Sequence, residues 1–361
     1  MQEIAPDTTI LSSANSPAAV DILEIAGADH VVQLGNILGN AMAARSLGLG
    51  GQSHQIGNFA GLQIAEAGVV GTALADRTLQ ESQLRSLVGV GIIGVWDRGD
   101  FSVATRDTKL CDSSILLLAG TADQLARFDE KFAVHSPTDS KAIIIGGGRV
   151  GRAAAQTFMS EGIDVTIIDR LAERRRSKPS YVIGDAADRS VLEAAGIEDA
   201  GAILITTHDD NVNVYLTRYC RGLRPDARIV SRSNLGRNVT TLYRAGADAV
   251  LSYAGTGSAT IWNHFRGDET LLVAQGLNMF RTPIPRELIG STLADSHMYR
   301  RTNCNVVAIE HNGTIDGNPD AHQPLPVTGE LLLVGTDAAE EKFSEVFPHA
   351  RQRPLLTRGR R

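Results

Sequence analysis

The chain has 361 residues, 43% hydrophobic and 21% charged, which leaves room for two to four compact units and excludes a largely disordered polypeptide. A net charge of −6 and a pI near 5.9 give no bulk electrostatic reason for nucleic-acid binding, so no nucleic-acid partner is expected. Cys111, Cys220 and Cys304 stand in no metal-like spacing, no window reaches the ~18 apolar residues of a membrane span, and Met1-Gln2-Glu3-Ile4 does not open a signal peptide; a soluble chain with reduced thiols is expected.

In chain order, Thr8–Ser13 and Ala28–Leu34 read as strands around a helix at Pro17–Ala26, and a further helix lies around Gly39–Leu47. A small α+β unit follows, repeated later in the chain. Inside it, Gly89-Val90-Gly91-Ile92-Ile93-Gly94 has the spacing G-x-G-x-x-G, but it lies in a strand pattern running into Trp96 with no helix behind it. It is rejected as a ligand site. Thr138-Asp139-Ser140 reads as a linker.

Residues 141–253 alternate strand and helix patterns. The strands are Ala142–Ile145, Asp164–Ile168, Tyr181–Ile183, Ala202–Ile205, Arg228–Ser231 and Ala249–Leu251; the helices are Val150–Ser160, Ser190–Ala195, Asn211–Arg221 and Arg237–Ala245. This predicts an α/β doubly wound parallel sheet, ordered 3-2-1-4-5-6. A helix at Gly255–Arg266 leads out of it. Then come strands at Leu271–Leu277, Asn305–Ile309 and Leu331–Val334, with helices at Leu293–Tyr299 and Ala338–Val346. The tail His349–Arg361 carries five arginines and no acid, the composition of a solvated segment.

The chain also repeats itself. Pro6-Asp7, Ile10-Leu11-Ser12 and Ala26-Gly27-Ala28-Asp29 answer Pro225-Asp226, Ile229-Val230-Ser231 and Ala245-Gly246-Ala247-Asp248 at one offset of 219; Thr78-Leu79 answers Thr292-Leu293 at 214. Matches in constant order predict a tandem duplication whose first copy has nothing answering residues 141–219. Thr8–Ser13 would then be a fifth strand without its fourth. Either more chain precedes it or this half-lobe leans on its neighbours. The helices around Gly39–Leu47 and Gly255–Phe265, apolar with small residues, suit an exchange between lobes, within the chain or between chains.

The chemically informative segment is Gly146-Gly147-Gly148-Arg149-Val150-Gly151, which follows a strand directly and opens a helix. Gly146 permits the tight turn, Gly148 lets a pyrophosphate approach the backbone, and Gly151 brings the helix close to the strand, while the helix start offers free N–H groups. Asp169, 18 residues after Gly151, is placed to accept from ribose hydroxyls and to favour NAD-type over NADP-type ligands, with Arg170 softening that preference. Asp185 and Ala186 close the third strand, Thr206 and Thr207 the fourth, Arg232 the fifth, all where ligands of such sheets bind. Asp185 could instead cap the helix at Ser190, and Arg232 could sit in a surface ion pair. In His208-Asp209-Asp210 the acids read as helix caps, and no metal is expected.

Residues 141–253 resemble an RCK N-lobe (regulator of conductance of potassium, or TrkA-N). The resemblance rests on the glycine loop, Ile168-Asp169-Arg170, Gly184-Asp185-Ala186-Ala187-Asp188, Gly196-Ile197-Glu198-Asp199-Ala200, Thr206-Thr207-His208-Asp209-Asp210-Asn211 and Ala245-Gly246-Ala247-Asp248. Residues Asp226–Phe265 are similar to tandem-RCK potassium channels, and the small units resemble RCK (TrkA-C) C-lobes, with Pro324-Leu325-Pro326 before Gly329-Glu330-Leu331. The resemblance divides the chain into 1–55 (end of a first N-lobe and its crossover helix), 56–132 (first C-lobe), 133–140 (linker), 141–266 (second N-lobe), 267–348 (second C-lobe) and 349–361 (basic tail). It implies pocket positions at Gly146, Gly148, Arg149, Val150, Asp169, Arg170, Asp185, Ala186, Thr206 and Arg232, with NAD(H) or else ADP, ATP or AMP as ligand. It further implies a non-catalytic regulatory module on the cytoplasmic side of the inner or plasma membrane. Such a module self-associates into a ring and acts on a potassium pore, upstream in the same polypeptide or in a separate subunit. The alternatives are a peripheral NAD-binding subunit of a Trk- or Ktr-type uptake system and an NAD-dependent dehydrogenase. The first copy lacks the glycine loop, so no ligand residues carry over to it.

Overall fold

The computed structural model describes residues 8–48, 51–98, 100–134, 141–266, 270–274 and 277–348; the segment Thr138–Ser140 and the tail His349–Arg361 lie outside them. The chain packs as two units, Met1–Leu49 with His135–Ile261, and Gly50–Val134 with Trp262–Arg361.

The first segment holds β1 (Leu11–Ser13), α1 (Pro17–Ile25), β2 (His30–Val32) and α2 (Leu34–Gly48). Ser16 caps α1 by accepting from the Ala19 N–H, and Pro17 occupies the position where a missing N–H costs nothing. Gly27, at φ +94°, turns the chain after α1. The strands pair in parallel, among the described residues with each other alone, and are shorter than the expected Thr8–Ser13 and Ala28–Leu34.

The first small lobe contains β3 (His54–Phe59), β4 (Leu62–Gly68), α3 (Leu79–Ser82), α4 (Leu84–Val88), β5 (Gly91–Asp97), β6 (Asp100–Val103), β7 (Ser114–Gly120) and α5 (Ala122–Phe132). Its antiparallel sheet is ordered β3-β4-β7-β5-β6. Of the rejected glycine pattern, Gly91–Gly94 lie in β5, while Gly89 ends α4 in the left-handed region.

The large lobe runs β8 (Lys141–Ile145), α6 (Arg149–Ser160), β9 (Asp164–Asp169), β10 (Ser180–Ile183), α7 (Arg189–Ala194), β11 (Ala202–Ile205), α8 (Asp210–Leu223), β12 (Arg228–Ser233), α9 (Val239–Ala245), β13 (Ala249–Ser252) and α10 (Tyr253–Arg266). All six strands are parallel, in the order β10-β9-β8-β11-β12-β13, which is the doubly wound 3-2-1-4-5-6. Residues 202–205 are buried throughout, as helices on both faces require. Helix α2 packs against α6 at very short range. A Cβ on Gly39 would lie 2.3 Å from the Val150 carbonyl oxygen and 2.7 Å from the Ala153 Cβ. The exchange expected of the first-copy helix is therefore made inside this chain.

The second small lobe holds β14 (Thr270–Ala274), β15 (Leu277–Pro283), α11 (Leu293–Ser296), α12 (Met298–Thr302), β16 (Asn305–His311), β17 (Thr314–Asp316), β18 (Glu330–Thr336) and α13 (Asp337–Val346). Two expectations need correction. The single strand Leu271–Leu277 is two antiparallel strands, β14 and β15, since the apolar run is interrupted at Gln275-Gly276. The single helix Leu293–Tyr299 is two short ones, broken at His297, whose φ of +46° cannot continue a helix.

The sheet order β14-β15-β18-β16-β17 matches the first small lobe, and so do the details. Thr78 and Thr292 cap equivalent helices; Gln83 and His297 both take positive φ; the ladder shifts at Ile92/Gly94 and at Val306/Ala308. Each sheet has one face under its own helices. The other faces share a core, in which Leu62, Ile64, Ile93 and Leu117 meet Met279, Val307, Leu332 and Val334. Two lobes too small to bury enough core alone close over one another.

Candidate nucleotide site

The loop between β8 and α6 is built by contacts only glycine allows. Gly146 has φ +109°, and a Cβ there would lie 2.8 Å from the Thr206 hydroxyl oxygen; one on Gly151 would lie 1.9 Å from the Gly146 carbonyl oxygen. Gly148 differs: it is the N-cap residue of α6, without a side-chain cap, and nothing lies within 4 Å of its Cβ position. The start of α6 thus has no side-chain cap, and there is open space beside Gly148. Thr206 locks the loop from β11 by donating to the Gly146 carbonyl at 2.9 Å.

Gly146, Gly148, Asp169, Arg170, Asp185, Ala186, Thr206 and Thr207 line one cavity of about 690 Å³ at the carboxyl ends of the strands. Arg149, Val150 and Arg232 line a smaller one of about 210 Å³, which shares Gly148 and Thr206. Gly151 lines neither and serves helix packing. The larger cavity also presents Val212, Tyr215 and Leu216, an apolar wall from α8 suited to a flat base.

The Asp169 carboxylate, expected to be open for a ribose, already accepts three hydrogen bonds. These come from the Gly147 N–H at 2.6 Å, the Leu171 N–H at 2.8 Å and Arg174 Nη1 at 3.0 Å. Burial pushes its pKa up, but those hydrogen bonds outweigh it and hold the carboxyl below the usual carboxylate range. Oδ1 carries only the Leu171 bond and keeps a lone pair for a ligand hydroxyl.

The alternatives left open by the sequence resolve locally. Asp188, not Asp185, occupies the N-cap position of α7; Asp185 accepts from the Ala187 N–H and lies 3.7 Å from Arg170. Arg232 is no surface residue: it is 3% exposed, its guanidinium 4.7 Å from the centre of the Tyr253 ring. Asp209 caps α8, and Asp210 accepts from Asn234 and Asn238, tying down the chain after β12. Among the described residues no His/Cys/Asp/Glu group could hold a metal ion.

Arg152, Arg174, His208 and Tyr253 also line these cavities and were not picked out as pocket residues from the sequence. Arg174 belongs to the run Arg174-Arg175-Arg176 after β9, a basic cluster behind a second strand that could have been noticed. Burial, with Arg232, Arg149 and Arg174 nearby, pushes the His208 pKa down and keeps the ring neutral. The site is a phosphate-sized helix start flanked by arginines, beside an apolar slot.

The TrkA-N domain family matches residues 142–253 and the TrkA-C domain family residues 65–133. The crystal structure of the GsuK RCK domain aligns with a TM-score of 0.65 and 36% identity, over 95% of this chain and 75% of that one. A GsuK channel bound to NAD gives the same score and identity over 95% and 63%. The Trk system potassium uptake protein TrkA of Mycobacterium tuberculosis is 25% identical over 222 residues, 57% of this chain and 98% of its own. Potassium channel protein 1 of Methanocaldococcus jannaschii is 25% identical over 215 residues, 56% of this chain and 65% of its own. The chain thus spans less than two thirds of these two channel relatives.

Proposed function

The chain belongs to the RCK family, and from that membership we propose that it is the ligand-sensing module of a potassium channel or transporter, binding NAD(H) or an adenine nucleotide in the large lobe. The single observation that carries the reading is the uncapped start of α6 at Gly148, open above a cavity that also holds Asp169 and the apolar face of α8. Phosphate suits the former, ribose and base the latter. NAD is the ligand named for the 36%-identical GsuK channel.

In this reading the module is non-catalytic. It binds through backbone N–H groups, arginines and a neutral His208, and its relatives are named as potassium uptake and channel proteins. Residues 1–55 and 141–266 supply the two N-lobe portions, 56–132 and 267–348 the C-lobes. No helix among the described residues is long and apolar enough to cross a membrane, so the potassium pathway is assigned to pore helices outside these residues, with the module at their cytoplasmic face. Self-association into a ring would let ligand binding act on the pore. The near-complete coverage of the mycobacterial uptake protein favours, as a second reading, a separate peripheral subunit.

Calorimetry with NAD, NADH, ADP and ATP tests the proposal. One site per chain is expected, weakened by roughly 1.5–3 kcal/mol in Asp169→Ala, the scale of hydrogen bonds to a charged group. Absence of heat and of any thermal shift with all four would overturn it.

A further inference from the structure

Helix α6 breaks a local rule. The start of a helix favours acids, because the aligned peptide dipoles and free N–H groups there carry positive charge. The first turn of α6 nevertheless has no acid, and Arg149 and Arg152 both fall within it. Arg149 reaches the Asn15 carbonyl. Arg152 instead bends back onto its own loop, where Nη1 donates to the Gly147 carbonyl at 2.6 Å. The same glycine is held from β9, since its N–H donates to Asp169 Oδ2 at 2.6 Å. A Cβ on it would lie 3.1 Å from that oxygen and 3.2 Å from Tyr181 Cε1, so a ring from β10 closes a further side. Gly147 is thus fixed by α6, β9 and β10 together.

Fixing that carbonyl has a consequence one residue on. The Gly147 C=O and the Gly148 N–H belong to one peptide unit, and in a trans unit, as here, they point in opposite directions. With the C=O committed to Arg152, the Gly148 N–H is turned away from Arg152. The larger cavity is lined by Gly148 and not by Arg152, the placement that this orientation serves.

We propose that Arg152 is a positioning residue of the nucleotide site: by holding the Gly147 carbonyl it aims the Gly148 N–H at a phosphate of the ligand. The inference rests on the reading of the large lobe as a nucleotide site and adds to it a residue outside the glycine motif. In this role Arg152 acts through the backbone and not as a charge facing the phosphate. The two modes respond differently to salt. Attraction across several ångströms is screened, with a Debye length of about 3 Å at 1 M, whereas a hydrogen bond from an N–H already aimed is affected far less.

The test is a nuclear magnetic resonance titration of the full chain with AMP and with adenosine, at low salt and at about 1 M, for the native sequence, Arg152→Met and Arg152→Lys. Methyl signals of Val212 and Leu216 report occupancy of the larger cavity by either ligand. Arg152→Met should weaken AMP roughly tenfold, the worth of one hydrogen bond to a charged group, and adenosine less than about twofold. The loss should be the same at both salt concentrations. Arg152→Lys, whose ammonium can still donate to the carbonyl, should restore most of the AMP affinity. In ligand-free Arg152→Met the Gly148 amide signal should shift, while those of Ile145 and Thr206 stay. A folded Arg152→Met with the native ratio of AMP to adenosine affinity overturns the proposal. So does a loss that disappears at high salt, which would make Arg152 a charge on the phosphate. If Arg152→Met does not fold, the native chain decides: AMP should move the Gly148 amide signal and leave the Gly147 carbonyl signal in place, and a carbonyl that moves as far overturns the proposal. Failure of both AMP and NAD to bind the native chain overturns the nucleotide reading itself, an outcome seen before any variant is compared.

Discussion

The two copies of the N-lobe differ in what they keep. In both, an aspartate after the glycine turn accepts from the backbone of the preceding strand: Asp29 Oδ2 from the Ile10 N–H at 2.7 Å, Asp248 Oδ2 from the Ile229 N–H at 2.7 Å. Asp29 and Asp248 also return their own N–H groups to the carbonyls of Ile10 and Ile229. The local geometry is thus preserved across 219 residues. The surroundings are not. One copy stands in a six-stranded sheet with a glycine loop; of the other, the described residues form a two-stranded pair and include no such loop. Backbone-closing signals are present in both copies, whereas the glycine loop, among the described residues, stands in the six-stranded sheet. The first segment is docked through α2, whose Leu38, Met42, Ala43 and Ala44 are buried and whose Gly39 is close-packed.

The most direct way to break this comparison is at that helix contact. Gly39→Leu would place its Cβ against backbone atoms of Val150 and Ala154, which cannot swing aside as a side-chain tip could. Overpacking of this kind costs about 3 kcal/mol. Hydrogen exchange over residues 8–48 should then speed up by roughly two orders of magnitude, while β15 and β18 in the other unit keep their protection. Unchanged protection of residues 8–48 would mean that the first segment stands without its neighbour.

A smaller effect sharpens the likeness of the copies. Asp248 accepts, besides the Ile229 N–H, a hydrogen bond from Arg221 Nη2 at 2.6 Å; this guanidinium also donates to the carbonyls of Pro225, Ala227 and Gly246. Asp248→Ala should therefore destabilise the large lobe by about 2 kcal/mol and Asp29→Ala the first segment by about 1 kcal/mol. The readout is hydrogen exchange at β12–β13 and at β1–β2. Equal losses would show that Arg221 adds nothing to the shared motif.

Much of this was legible in the sequence because the duplicated signals are backbone signals. Threonine caps at Thr78 and Thr292 and the Ala-Gly-Ala-Asp turns fix geometry with few residues, and the strand–glycine–helix order of residues 142–151 sets both topology and site. Contacts made by long side chains across the fold were not legible. Nothing near Arg174 announces that it will reach back to Asp169, and nothing near Arg149 announces the Asn15 carbonyl, 134 residues away. The break at His297 was hidden for another reason: a non-glycine residue in the left-handed region carries no sequence flag, although its repeat partner Gln83 does the same. The strand pair β14–β15 read as one strand because apolar residues stand on both sides of Gln275-Gly276 in the sequence.

The smallest predicted difference between the copies concerns acid. In the large lobe the loop that would hold phosphate is itself held by a carboxylate, through the Gly147 N–H, and Arg174 is pinned to the same oxygen, Oδ2. Burial works against ionisation of Asp169, but the hydrogen bonds from Leu171, Arg174 and Gly147 prevail, so its folded pKa lies below the ordinary 3.8. A depressed acid contributes stability that is fully present above the unfolded value and is lost as pH falls below it, through the folded pKa. From neutral pH down to about 4 the Gly146–Gly148 loop should therefore be unaffected, and further acidification should release it. Amide signals of residues 146–148, followed by nuclear magnetic resonance from pH 6 downwards, should move only in that lower range, together with Leu171. In Asp169→Asn the acid-dependent movement should vanish, because the amide oxygen still accepts but no longer titrates. The β1–β2 pair, with no glycine loop to hold, should show no counterpart to this release. A loop that titrates identically in Asp169→Asn would place the acid sensitivity on another group and remove Asp169 from its role as the anchor of the loop.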